Sequence, residues 1–141
     1  MDNSKPAILQ PKKVGGFVKF LRWLAVLIII VLVFLFWWKY YFVFGEGVKS
    51  GELNYVVKKG NVFKTYEGKL IQTGIKSKIV GSIQSNEFDF SVTNDSIANV
   101  LMNNSGYYFD LHYIEYKGAI PWRGFSPYIV DKIIAMKNID R

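Results

Sequence analysis

The pattern of apolar and polar residues divides the chain into two parts. Residues 20 to 44 form an almost continuous apolar stretch, whereas apolar and polar residues alternate from Gly45 onward, with turn residues at roughly even intervals. A long apolar run is typical of a membrane helix, and alternation is typical of half-buried strands. The pattern therefore predicts a membrane helix at 20–44 followed by a β-domain at 46–141.

The apolar stretch has the length and flanks of a bilayer-spanning helix, which needs about 20 mainly apolar residues. Its uncharged centre, residues 24 to 38, is extended by Phe20 and Leu21. Long basic side chains and aromatic rings at the ends of such a helix favour the membrane interfaces. The residues expected there are Arg22, Trp37, Trp38, Lys39, Tyr40 and Tyr41.

A cleaved signal peptide is the alternative to a permanent anchor. Cleavage requires small residues just after the apolar region, but here that zone is WWKYYFVF, and the first small pair is Gly45 and Gly47. These glycines lie about nine residues too late for the usual cleavage geometry. The sequence therefore favours an uncleaved signal anchor.

Charge predicts the orientation of this anchor. The first 45 residues carry six basic residues and one acidic residue, so they hold +5 of the total net charge of +7. Basic residues concentrate on the cytoplasmic side of membrane helices, which places the basic tail 1–19 in the cytoplasm. We expect a single-pass protein of the bacterial inner membrane with a periplasmic domain. Because the domain itself is nearly neutral, no nucleic-acid partner is expected.

Alternation and turn residues predict the strands of the domain. Gly51 is expected to mark a bulge or bend in the first strand, and Glu67-Gly68 a bulge or tight turn in the second. Phe88, Phe90 and Val92 are expected on one buried face of the third. Strands are predicted within residues 47–60, 61–74, 78–92, 107–116 and 126–136, the last as a strand or a short helix.

One short helix is predicted between the third and fourth strands. Thr93, Asn94 or Asp95 can cap its N-terminus, and Gly106 can close it; its apolar stripe is Ile97, Val100 and Leu101. Three strands, a helix and two strands is the order of a small five-stranded OB-like barrel. An open β-sandwich and a meander with a helix are the alternatives.

Two segments of the domain carry a resemblance to known chains. GEGVKSGELNYVVKKGNVFKTYEGKLI and LHYIEYKGAIPWRGFSPYIVDKI resemble a group of small bacterial membrane proteins with one N-terminal span and a short C-terminal β-domain. The resemblance implies this architecture and no activity. Similar chains are sometimes labelled 6-phosphogluconate dehydrogenase, but that enzyme requires a Gly-x-Gly-x-x-Gly nucleotide fold and a much longer chain, both missing here.

Candidate chemistry in the domain is sparse, and no catalytic residue, cofactor or metal site is predicted. His112, the only histidine, has Asp110 and Glu115 as its nearest acidic neighbours, but no nucleophile can be assigned to it. A membrane-tethered serine–lysine hydrolase would match the architecture, yet Ser50 is followed by Gly51-Glu52 rather than by methionine. Asp89, Asp95, Asp110 and Glu115 lack the spacing of a metal loop.

The segment YKGAIPWRGFSP, residues 116 to 127, is the best candidate for recognition. Tryptophan and arginine are the residue types that anchor interfaces, and Trp122, Arg123 and Phe125 are the partner-binding candidates. In one interpretation they form an exposed loop for a partner protein or lipid headgroups. In the other, Trp122 is buried under the barrel and Arg123 pairs with Glu67 or Glu115.

These observations favour a non-enzymatic accessory protein. It would be held in the lipid bilayer by its helix and would dock on a larger membrane complex through the barrel face or the Trp122 loop. The first alternative is an OB-type module that binds glycan or single-stranded nucleic acid on an aromatic face of Tyr66, Tyr108 and Tyr113. The second is a membrane-tethered hydrolase.

Overall fold

A computed structural model describes residues 15–72 and 86–138 of the chain. Helix α1, Gly16–Tyr40, is long and apolar enough to span a membrane, and it is the only such helix in those two ranges. The chain divides into two compact units, Met1–Leu35 and Phe36–Arg141. The prediction of one N-terminal apolar helix and a mainly-β domain is confirmed.

The bounds of α1 differ from those expected from composition. The helix begins at Gly16, four residues before the predicted span, and ends at Tyr40. Val43 and Phe44, which the apolar pattern assigned to the helix, begin the first strand instead, where Val43 pairs with Tyr116. β-branched and aromatic residues pack well on a sheet, so pairing with another strand decides their conformation.

Five strands in a ring and one helix form the second unit. The closed strand order is β1-β2-β3-β5-β4, and β4 pairs with β1 to complete the ring. All pairs are antiparallel except β3 with β5. The elements are β1 Val43–Lys59, β2 Thr65–Gln72, β3 Asn86–Val92, α2 Asp95–Asn103, β4 Tyr108–Tyr116 and β5 Tyr128–Lys137.

Strand β1 is long because it serves two neighbours. Its first part pairs with β4 and its second part, from Glu52, pairs with β2. Gly51 lies buried at this change of partner, where an added Cβ would lie 2.5 Å from the carbonyl oxygen of Ile71. The register irregularity itself falls between Leu53 and Tyr55, so Gly51 marks a close approach of two strands rather than the predicted bulge.

The core lies inside the ring. Phe88, Phe90 and Val92 are buried together, as their alternation on β3 predicted. Leu70 on β2 and Phe109 on β4 pack in the same cluster. Burial of large apolar side chains is the main stabilising contribution in a domain of this size, so the ring closes around these aromatic and aliphatic groups.

The predicted bulge or tight turn at Glu67-Gly68 is wrong. Both residues lie inside β2, which begins at Thr65, and they pair in continuous register with β1 and β3. Glycine is needed here because a Cβ on Gly68 would lie 2.4 Å from Cζ of Phe90. The predicted second strand, within residues 61 to 74, contains the whole of β2, although residues 61 to 64 form the loop before it and residues 73 and 74 lie outside the described ranges.

Helix α2 begins at the predicted cap. The side chain of Asn94 accepts hydrogen bonds from the backbone N–H groups of Ser96 and Ile97. Its buried residues are Ala98 and Leu101, whereas Val100, expected in the apolar stripe, is exposed. Gly106 adopts a positive φ of 86° just beyond the helix. The segment after Pro127 is the strand β5 rather than a helix, and the predicted residues 78 to 85 of the third strand lie outside the described ranges.

Candidate functional site

The segment between β4 and β5, residues 117 to 127, folds into a tight turn over the outer side of the ring. The N–H groups of Arg123 and Gly124 both donate to the carbonyl oxygen of Ile120 at 3.0 Å. Ile120 is buried, while Pro121 is exposed at the tip of the turn. The turn therefore has one apolar residue fixing it to the domain and a rigid, exposed apex.

A buried carboxylate attaches this loop to the sheet. The side chain of Glu67 points away from the core, because the next residue along the strand, Gly68, faces Phe90. Glu67 is nevertheless only 6% exposed because the loop covers it. It accepts hydrogen bonds from the hydroxyls of Thr65 and Ser91, each at 2.6 Å, and from the N–H of Phe125 at 3.1 Å. A buried polar group of this kind must be paired to be tolerated, so the loop has one favourable position.

Ser91 extends the same network on β3. Its oxygen accepts a hydrogen bond from the N–H of Ser126 at 3.0 Å, and the Ser126 hydroxyl donates to the carbonyl of Asp89 at 2.9 Å. A Cβ on Gly124, whose φ is 158°, would lie 2.2 Å from Oγ of Ser91. Only glycine allows the loop backbone to approach the serine this closely.

The loop presents its large apolar side chains outward. Trp122 is 49% exposed and Phe125 is 57% exposed. Trp122 contacts Phe63 of the β1–β2 loop in an edge-on arrangement with ring centroids 6.1 Å apart, and Val62 beside it is 85% exposed. We call Val62, Phe63, Trp122 and Phe125 the aromatic loop surface. The interpretation with Trp122 buried is wrong.

Arg123 contacts neither of the carboxylates proposed for it. Its guanidinium donates to the carbonyl oxygens of Tyr40 at 2.7 Å and Gly118 at 3.1 Å, and it stacks on the ring of Tyr116 with Cζ 3.5 Å from the centroid. Burial lowers the pKa of this guanidinium. Its contact with Tyr40 satisfies a terminal carbonyl of α1, where positive charge is also favourable. Arg123 is therefore a structural residue of the loop.

The residues expected at the membrane interfaces lie along α1 and just beyond it. Arg22, Trp37 and Trp38 are exposed, as is Tyr41 after the helix. Nζ of Lys39 lies 5.3 Å from the centroid of the Tyr40 ring. The structure contains no bilayer, so their interfacial role stays a prediction.

The other candidate residues have partners that alternation alone did not identify. Nδ1 of His112 lies 2.6 Å from Oδ1 of Asp131 on β5, rather than beside Asp110 or Glu115. The Ser50 hydroxyl donates to Asp110 at 2.5 Å. Within residues 15–72 and 86–138, no group of three or more histidine, aspartate or glutamate side chains is placed to hold a metal ion.

The three tyrosines proposed for a ligand-stacking face, Tyr66, Tyr108 and Tyr113, are all partly buried. Tyr66 and Tyr113 pack against the core cluster, and the ring of Tyr113 contacts Phe88 and Tyr128. Tyr108 pairs with Glu52 and Lys137 at the far end of β4. A different concavity, of about 350 Å³, lies on the outer side of β1, β2 and β3, and is lined by Tyr55, Lys59, Lys69, Asp89 and Phe125.

Phe63 and Glu67 were not identified as functional residues from the sequence. The alternating pattern predicts a strand through Phe63 and a bulge or tight turn at Glu67-Gly68. The signal for Phe63 was the run Gly60-Asn61 before it, since such pairs mark loops. A loop phenylalanine with no strand partner is a candidate surface anchor.

Comparison with known proteins identifies no relative of this chain. No protein-family model matches it, and neither a curated protein nor a solved structure is significantly similar to it. The resemblance to small single-pass bacterial membrane proteins therefore stays a prediction, and function has to be argued from the domain itself.

Proposed function

We propose that this chain is a non-enzymatic accessory protein of the bacterial inner membrane. Helix α1 serves as an uncleaved anchor with its N-terminus in the cytoplasm, and the domain lies in the periplasm. The proposal is supported by the length and apolar character of α1 and by the concentration of basic residues before it. The domain docks on a larger membrane protein complex.

We further propose that the domain is a small OB-type barrel. Three features support this: the ring order β1-β2-β3-β5-β4, the parallel pairing of β3 with β5, and the position of α2 between β3 and β4. OB-folds use the loops after strands 1 and 4 for binding. Here those two loops carry Phe63 and Trp122, which contact each other.

The aromatic loop surface is the docking site in this proposal, and the observation that carries it is the combination of exposure with rigidity. Trp122 and Phe125 are about half exposed, while the backbone N–H groups of Phe125 and Ser126 donate to buried Glu67 and Ser91. Large rigid aromatic groups anchor interfaces because little conformational entropy is lost on binding.

A pull-down from membranes in mild detergent tests the proposal. The double variant Phe63→Ser/Trp122→Ser is expected to lose a stoichiometric membrane partner that the wild-type chain retains. Arg123 is left unchanged because it supports the loop. The matched control is Val48→Ser/Ile134→Ser, which changes two exposed apolar residues on β1 and β5. This control variant should retain the partner.

Either of two results would contradict docking through this surface: a wild-type chain that is recovered alone, or a partner that both double variants retain. Circular dichroism of both variants should show the same β-signal as wild type, which separates loss of binding from loss of folding.

A second candidate function is ligand binding at the concavity on β1, β2 and β3. Lys59 and Lys69 line it together with Tyr55 and Phe125, a combination that suits an anionic group and a planar ring. Lys69 is already paired with Glu87 at 2.5 Å and faces Asp89 at 3.5 Å. Binding of an anionic oligosaccharide or single-stranded oligonucleotide that Lys59→Ala weakens would favour this function over docking.

A further inference from the structure

A second exposed aromatic cluster lies where α1 ends and β1 begins. The rings of Trp38 and Phe42 are stacked, with centroids 4.8 Å apart and an interplanar angle of 7°. Lys117, from the loop after β4, holds its ammonium 4.8 Å from the Trp38 centroid, 5.7 Å from that of Phe42 and 6.0 Å from that of Phe44. We call Trp38, Phe42, Phe44 and Lys117 the junction cluster.

The ammonium of Lys117 keeps its hydrogen-bonding capacity. Among the described residues, ion pairs are made by Lys69 and His112, and Lys117 contacts only aromatic rings. Cation–π contacts leave the three N–H donors of an ammonium available to an anion. The side chain of Lys39 also passes close to this loop, since its Cε lies 3.6 Å from the Cβ position of Gly118, the residue after Lys117.

We propose that the junction cluster binds the headgroup of an anionic phospholipid. The ammonium of Lys117 donates to the lipid phosphate, and the rings of Trp38, Phe42 and Phe44 pack against the glycerol and upper acyl region. The inference rests on the proposed anchoring by α1, because Trp38 lies in the last turn of that helix. At this depth the available molecules are lipid headgroups, which favour tryptophan and lysine.

Charge decides between classes of lipid. The junction cluster and Lys39 present positive charge, and the contribution of one basic residue near a surface enriches anionic lipid roughly fivefold over zwitterionic lipid. Lys117 therefore makes the folded domain, and not only the helix, part of the membrane contact. This site shares no residue with the aromatic loop surface.

Quenching by brominated lipids tests the proposal on the full chain. Trp23, Trp37 and Trp122 are replaced by phenylalanine, so that Trp38 is the only tryptophan and its emission is excited selectively. The protein is reconstituted in vesicles of phosphatidylcholine and phosphatidylglycerol. Two samples with the same mole fraction of brominated lipid are compared, one with brominated phosphatidylglycerol and one with brominated phosphatidylcholine. Brominated phosphatidylglycerol should quench Trp38 roughly two- to fivefold more strongly. Lys117→Gln should remove this preference, whereas Lys132→Gln, an exposed lysine on β5, should preserve it.

Three results would overturn the assignment. Equal quenching by the two lipids in the single-tryptophan chain that keeps Lys117 would exclude headgroup selectivity. A preference for phosphatidylglycerol that survives in Lys117→Gln would assign this preference to other basic residues. Trp38 shielded from both lipids and from iodide would mean that a polypeptide covers the cluster. Quenching by iodide and by neither lipid would instead contradict the anchor itself. The pull-down through Phe63 and Trp122 is independent of all these results.

Discussion

The two outer sides of the strand ring hold polar side chains in opposite environments. On β2 and β3, Glu67 and Ser91 are buried beneath the β4–β5 loop and bonded at 2.6 Å. On β1 and β4, Ser50 and Asp110 make a bond of similar length, 2.5 Å, with both side chains partly open to water. The same kind of hydrogen bond thus occurs once as a support for a loop and once on an uncovered sheet surface.

The difference shows which polar groups determine the position of the candidate site. A buried donor or acceptor without a partner has lost its water, whereas an exposed one exchanges its partner for water at little cost. The covered side therefore fixes the backbone of Phe125 and, through it, the aromatic loop surface. The uncovered side adds little to the fold.

Replacing the buried carboxylate should have the largest effect. Glu67→Ala leaves the hydroxyls of Thr65 and Ser91 and the N–H of Phe125 without their acceptor. We expect a loss of about 3–5 kcal/mol in the free energy of unfolding, measured by thermal unfolding of the full chain in mild detergent. For a domain of about 96 residues this lowers Tm by roughly 15 °C or more.

Glu87→Ala is the matched control for this change. Glu87 is paired with Lys69 at 2.5 Å, but its side chain is 44% exposed. Removing an exposed ion pair changes stability by at most about 1 kcal/mol. Equal losses for the two glutamates would contradict the distinction between buried and exposed polar groups.

A smaller effect is expected on the uncovered side. Ser50→Ala removes the donor to Asp110, and water can replace it because the pair is partly exposed. The free energy of unfolding should fall by about 0.5–1 kcal/mol, with recovery of the membrane partner unchanged in the pull-down. A loss as large as that of Glu67→Ala would mean that this pair also supports the fold.

Local patterns were sufficient to predict α1, the cap of α2 and the buried face of β3. The alternation of Phe88, Phe90 and Val92 has a period of two residues, and the cap at Asn94 needs only the residues after it. Both depend on neighbours within a few positions. The structure therefore confirms them.

Predictions that depended on distant contacts were less successful. Gly68 signals a turn locally, yet it serves to admit the ring of Phe90 from the next strand. The partner of His112 is Asp131, 19 residues away, because β4 and β5 are adjacent in the ring. The loop that carries Trp122 is packed against the sheet where the backbone of Gly124 approaches the side chain of Ser91. Neither residue indicates this contact in the sequence.

Alkaline pH should destabilise the domain through a partly buried phenol that packs against Phe88 and Tyr113. Tyr128, whose N–H donates to Ser126 at 3.1 Å, has a pKa raised above its ordinary value of 10.0, first by burial and then by the charge of Glu115. The folded state therefore holds the phenolic proton more tightly than the unfolded state, so this stability is present below pH 10 and is lost as the pH rises through the folded pKa. Tyr128→Phe cannot ionise and should show a shallower fall of Tm above pH 10 than wild type. Parallel curves for wild type and Tyr128→Phe would exclude this phenol as the source of the alkaline loss.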